Sequence, residues 1–87
     1  MRLCSPDHIT WKNLPLGVVL LNLQDGTYHV LNETGSLAWR GILDGKDRDG
    51  IVEQMLSEFE CAPEEAEADV DEFLQFLEKE QLMVRTD

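Results

Sequence analysis

Gly17-Val18-Val19-Leu20-Leu21-Asn22-Leu23-Gln24-Asp25-Gly26-Thr27-Tyr28-His29-Val30-Leu31 decides the fold. A dense β-branched and leucine run ends in Gln24-Asp25-Gly26, and a second β-forming run, Thr27 to Leu31, follows at once. Asp-Gly between apolar runs marks a hairpin, because glycine takes the positive φ that a tight turn needs. Upstream, His8-Ile9-Thr10-Trp11-Lys12 alternates polar and apolar residues, the period of a half-buried strand. Pro15 and Gly17 separate that strand from the hairpin. Three antiparallel strands over about residues 7–31 are predicted.

Beyond Leu31 the apolar period becomes helical. Asn32 suits an N-cap and Glu33 suits the positive first turn of a helix whose apolar face is Leu37, Ala38, Trp39, Ile42 and Leu43. Asp44-Gly45 ends it. Asp47 or Asp49 can cap a second helix with the stripe Ile51, Val52, Met55, Leu56 and Phe59. Pro63 fits the first position of a third, where its missing N–H costs nothing. That helix is predicted to run to about Leu82, with Ala66, Val70, Phe73, Leu74 and Leu77 on one face. Phe76 lies beside this stripe and widens it, so the helix is expected to bury two adjoining surfaces. The order strand-strand-strand-helix-helix-helix describes a small α+β, winged helix-turn-helix-like domain, expected to occupy residues 1–87 as one unit.

Composition narrows the function. Eighteen acidic against seven basic residues among 87 give a net charge of −11. Affinity for nucleic acid comes largely from cations that displace counterions, so this balance argues against a nucleic-acid partner. It argues equally against a polybasic membrane anchor, and no run approaches the roughly 20 apolar residues of a membrane span. Residues 1–10 lack the apolar run of a signal peptide. Cys4 and Cys61 are far apart and outside any Cys-x-x-Cys pattern, so neither a disulfide framework nor a zinc knuckle is expected. A reduced, cytoplasmic protein is the expectation.

No residue set announces catalysis. His8 and His29 lack partners at metal-ligand spacing. Cys4 is expected in a mobile terminus, and the acidic neighbours of Cys61 disfavour a thiolate. Glu64, Glu65, Glu67, Asp69, Asp71 and Glu72 lack the glycine-turned loop of a calcium site and read as a solvated face near a helix N-terminus. Asp69, at the edge of the apolar stripe, is expected to point into a groove. No metal, cofactor or catalytic residue is expected. What remains is a sheet edge: a peptide can add itself there as a strand, with affinity from backbone pairing and specificity from side-chain pockets.

Several motifs fall in one order: His8-Ile9-Thr10-Trp11, Gly17-Val18-Val19-Leu20-Leu21, Gly26-Thr27-Tyr28-His29-Val30-Leu31-Asn32-Glu33-Thr34-Gly35, Trp39, Pro63 to Val70, and Phe73-Leu74-Gln75-Phe76-Leu77. Over about residues 7–84 the chain resembles the PqqD-like family, the recognition elements for leader peptides of ribosomally made, post-translationally modified peptides (RiPPs). The resemblance implies a three-stranded antiparallel sheet with three helices. It also implies a leader peptide bound as an added strand, paired with the backbone of Thr27, Tyr28, His29, Val30 and Leu31. Its apolar side chains would enter a cleft lined by Asp69, Val70, Phe73, Phe76 and Leu77. Leu20 and Trp39 match the motif as core positions. The implied role is non-catalytic: a stand-alone protein that delivers a precursor to the leader peptidase and cyclase of lasso peptide biosynthesis. The alternatives are a chaperone presenting a precursor to a radical enzyme in pyrroloquinoline quinone biosynthesis and, further off, a winged-helix nucleic-acid binder.

Overall fold

In the computed structural model, which describes residues 2–4 and 6–86, the elements are β1 (Arg2–Cys4), β2 (Ile9–Leu14), β3 (Gly17–Asn22), β4 (Tyr28–Val30), α1 (Glu33–Leu43), α2 (Arg48–Glu58), α3 (Pro63–Lys79) and β5 (Val84–Thr86). The order β2-β3-β4 makes the expected three-stranded antiparallel sheet, and the three helices follow it. Asp25 shapes the hairpin turn: its carboxylate accepts from the Thr27 N–H at 2.9 Å and hydroxyl at 2.6 Å, which hold its carboxyl below the ordinary value. Gly26 takes φ +77°, as the Asp-Gly signature requires.

Register decides which side chains meet the helices. Trp11 opposes Leu20 and Leu20 opposes His29 across the three strands. Alternation therefore puts Ile9, Trp11, Val18, Leu20, His29 and Leu31 on the helix-facing side. Val18 and Leu20 are wholly buried there, whereas Tyr28 and Val30, on the outer face, are exposed. Trp39 of α1 is also wholly buried, edge-on to Trp11 at 6.5 Å between centroids. Its indole N–H has no hydrogen-bond partner among the described residues. Such an orphan costs on the order of 1–3 kcal/mol, which burial of the large ring, worth roughly 4–6 kcal/mol, offsets.

The helix boundaries have local causes. The side chains of Asn32 and Asp47 accept from the N–H groups of Gly35 and Gly50, both at 2.8 Å, and so cap α1 and α2. Pro63 opens α3 without any side-chain cap, because Ala62 has none to offer. Ser36 ties α1 to the sheet. Its buried hydroxyl accepts from the Val18 N–H at 2.9 Å and donates to the Leu31 carbonyl at 3.3 Å, bridging one rung of the β3–β4 ladder. Gly17 has φ +135°, and a Cβ there would stand 2.4 Å from the Leu31 carbonyl oxygen.

Four expectations need correction. First, α3 stops at Lys79 rather than near Leu82. The Leu82 N–H bonds the Leu77 carbonyl at 2.9 Å and the Gln81 N–H bonds that of Glu78 at 3.2 Å, with Gln81 at φ +57°. This is a Schellman closure with glutamine in the left-handed position that glycine usually fills. The end of α1 has the glycine, Gly45 at φ +87°. Second, Leu43, expected on the buried face of α1, is exposed at its last turn. Third, Cys4 does not lie in a loose terminus: β1 and β5 pair antiparallel, with Cys4 opposite Val84. Fourth, that two-stranded ribbon adds to the three strands read from the sequence.

Candidate functional site

A cleft of about 380 Å³ opens between α3 and the start of α1, with Met55 of α2 beneath. One wall is a stripe of α3: Asp69, Glu72, Phe73 and Phe76, spaced i, i+3, i+4 and i+7 and hence on one face. The opposite wall is the first turn of α1, with Asn32, Thr34 and Gly35, while Ala38 and Met55 contribute to the floor. The Phe73 ring lies against the bare backbone of Gly35, where a Cβ would stand 3.4 Å from Phe73 Cε1. Phe73 and Phe76 stack at 6.3 Å, and Phe76 meets the His29 ring edge-on at 5.5 Å and 81°. Phe76 thus links the cleft, whose lining includes Asn32, Asp69 and Glu72, to His29 of β4.

Beside it lies an unpaired strand edge. β4 ends the sheet order, so one of its sides has no strand neighbour among the described residues. The Leu31 N–H donates to Val18 and the Thr27 carbonyl accepts from Asn22, both at 2.8 Å. In an antiparallel ladder the bonding direction alternates, so Thr27, His29 and Leu31 bond inward to β3. Tyr28 and Val30 turn their N–H and C=O groups to the open side.

The ten residues singled out from the sequence separate into three groups. Asp69, Phe73 and Phe76 line the cleft surface. Val70 and Leu77 are wholly buried and Leu31 nearly so, which makes them the packing beneath the cleft rather than its lining. Of Thr27 to Val30, only Tyr28 and Val30 present free backbone groups, and His29 reaches the cleft through its ring. Sequence reasoning missed Asn32, Thr34, Gly35 and Glu72 as lining. The first three stood in the quoted Asn-Glu-Thr-Gly motif, and Glu72 follows from the spacing of 69, 72, 73 and 76 on α3.

Electrostatics around the cleft is one-sided. Arg48 of α2 bonds Asp71 of α3 with both ends of its guanidinium, Nε to Oδ1 at 2.5 Å and Nη2 to Oδ2 at 2.9 Å, and this holds the Asp71 carboxyl below its ordinary value. Glu67 and Asp49 stand at 3.9 and 3.4 Å from the same guanidinium. Neither Asp69 nor Glu72 has an ion-pair partner among the described residues, and no lysine or arginine lines the cleft. Among the described residues, no three His, Cys, Asp or Glu side chains stand together as metal ligands, and no helix is long and apolar enough to cross a membrane.

The sequence profile of Coenzyme PQQ synthesis protein D (PqqD) matches residues 17–83, which include β3, β4 and all three helices. The chain belongs to the PqqD family. Two solved structures resemble this PqqD-family chain over nearly their whole lengths. One, TbiB1 in complex with the TbiA(beta) leader peptide, is 30% identical with a TM-score of 0.86, over 100% of this chain and 99% of that one. The other, a lasso peptide synthetase B1 complexed with the leader peptide, is 25% identical with a TM-score of 0.90, over 98% and 100%. No curated protein matches the chain significantly.

Proposed function

We propose that this protein is a non-catalytic RiPP recognition element. It captures the leader of a ribosomal precursor peptide as an added strand on β4, with alternate side chains entering the cleft beside α3. It then delivers the precursor to the leader peptidase and cyclase of a lasso peptide pathway. The observation that carries this reading is the pairing of two features: the outward N–H and C=O groups of Tyr28 and Val30, and the aromatic cleft beside them. An extended chain can satisfy both at once. The likeness to two B1-type proteins, each solved with a leader peptide, supports the occupant and the pathway.

The test is titration with synthetic leaders of short precursors encoded beside this gene. Binding at micromolar or tighter affinity, with a gain in strand signal by circular dichroism, is expected. No binding by any of them would remove the reading. The family description favours a second one, presentation of a precursor to a radical enzyme in coenzyme PQQ synthesis. A peptidase and an asparagine-synthetase-like cyclase among the neighbouring reading frames support the first, and a radical enzyme supports the second. Nucleic-acid recognition is disfavoured by α3, where a reading helix needs bases and this one carries Glu64, Glu65, Glu67, Asp69, Asp71 and Glu72.

A further inference from the structure

The groove stripe of α3 is divided by chemistry: carboxylates at Asp69 and Glu72, aromatic rings at Phe73 and Phe76. Internal structure does not explain the carboxylates. The cation in the α2–α3 seam, Arg48, is taken by Asp71, Glu67 and Asp49. The start of α1 does not need them either. Asn32 already occupies the N–H groups of Gly35 and Ser36, and Glu33 supplies the negative charge of the first turn. Among the described residues, two carboxylates without an ion-pair partner therefore line a cleft whose lining holds no lysine or arginine.

We infer that the cleft selects a strand carrying lysine or arginine two positions from the apolar side chain that it seats. This inference rests on the strand-capture reading above and adds the class of residue recognised. The spacing follows from two rises. The centre of the Asp69–Glu72 pair and that of the Phe73–Phe76 pair are four residues apart on α3, about 6 Å along a helix rising about 1.5 Å per residue. Side chains at i and i+2 of a strand share a face and stand about 6.7 Å apart. An extended peptide beside β4 thus places one side chain over the rings and the next on that face between the carboxylates. A cation there gains modestly from two exposed carboxylates at once, whereas an acidic side chain meets repulsion from them and from a chain of net charge −11.

The experiment is selection of a random 12-residue peptide display library on the full-length chain, on Val30→Pro, and on Asp69→Asn/Glu72→Gln. Both acidic positions are solvent-exposed, and equal thermal midpoints establish that the double variant is folded. Peptides enriched on the native chain are expected to carry Lys or Arg two positions from an aromatic or aliphatic residue, and to be lost on Val30→Pro. On the double variant the cation preference should vanish. A synthetic representative should bind it about three- to tenfold more weakly at low salt, with little further loss when its own cation is replaced by leucine. Enriched peptides that need Val30 but lack the cation, or keep it on the double variant, would overturn the inference and leave strand capture standing. Failure to enrich any peptide that depends on Val30 would overturn both.

Discussion

The imidazole of His29 stands edge-on to the ring of Phe76, 5.5 Å between centroids at 81°, and so pins the middle of the edge strand to α3. This contact joins the two halves of the proposed site. An unpaired backbone edge and an aromatic wall are held in one frame, although 47 positions separate them in sequence.

Phe76→Ala separates binding from folding. The Phe76 ring is half-buried, and its loss should lower stability by roughly 1–2 kcal/mol, about half the value of a fully buried large side chain. Trp39→Ala removes a wholly buried ring and should cost about 3–5 kcal/mol. Urea unfolding read beside leader titration checks both. Phe76→Ala should weaken binding while the domain stays folded, and equal losses of stability in the two variants would contradict the assignment.

Proline scanning of β4 reads the bonding direction. Val30→Pro removes an outward N–H and should leave a folded domain that binds the leader poorly. His29→Pro removes an inward bond to β3 and should mainly unfold the sheet. Unchanged binding by folded Val30→Pro would show that the peptide does not use this edge.

Much of this arrangement is legible in the sequence, and the reasons are local. Asp25-Gly26, Asn32, Asp47 and Pro63 each act within a few residues of themselves, so the hairpin and the three helix starts can be read one by one. Where the partner is distant, reading fails. The ribbon of β1 and β5 joins Arg2 to Thr86 through strands of three residues, too short to show a period. Val70 and Leu77 share a helix with Phe73 and Phe76, and only the position of the sheet tells which face becomes core and which becomes cleft. The end of α3 was hidden for a different reason: glutamine stands where glycine would have signalled a stop.

Gln81→Gly should therefore stabilise the domain. A left-handed residue with a Cβ costs roughly 1–2 kcal/mol relative to glycine, and part of this returns through the larger entropy of the unfolded glycine. A gain of about 0.5–1 kcal/mol in urea unfolding is expected, with leader affinity unchanged, because Gln81 lies outside the cleft.

Acid should remove the contribution of the Arg48–Asp71 pair to the α2–α3 seam. The Asp71 carboxyl lies below its ordinary value of 3.8 because Arg48 donates to it. A depressed folded value means that the pair's contribution is complete above the unfolded value, from about pH 5 upward, and is lost as pH falls through the folded value. The difference in thermal midpoint between native chain and Asp71→Asn should accordingly shrink between about pH 5 and pH 2. A difference that stays constant would show that the pair contributes nothing that titrates.

Ser36→Ala should leave the Val18 N–H buried without an acceptor, at a cost of roughly 1–3 kcal/mol. Hydrogen exchange at the Val18 amide should accelerate by more than at neighbouring strand amides, and a uniform change would argue against the bridge.

The same Ser36 hydroxyl bears on how affinity is divided between host and guest. By fastening the first turn of α1 to the last rung of the β3–β4 ladder, it ties one cleft wall to the strand that carries the open edge. Under the proposed strand capture, this cross-link lowers the ordering cost on the host side, and more of the lost conformational freedom falls on the incoming chain. On that reading, guests already biased toward extended backbone should have an advantage over equally apolar but more pliant ones, independent of any side chain they present.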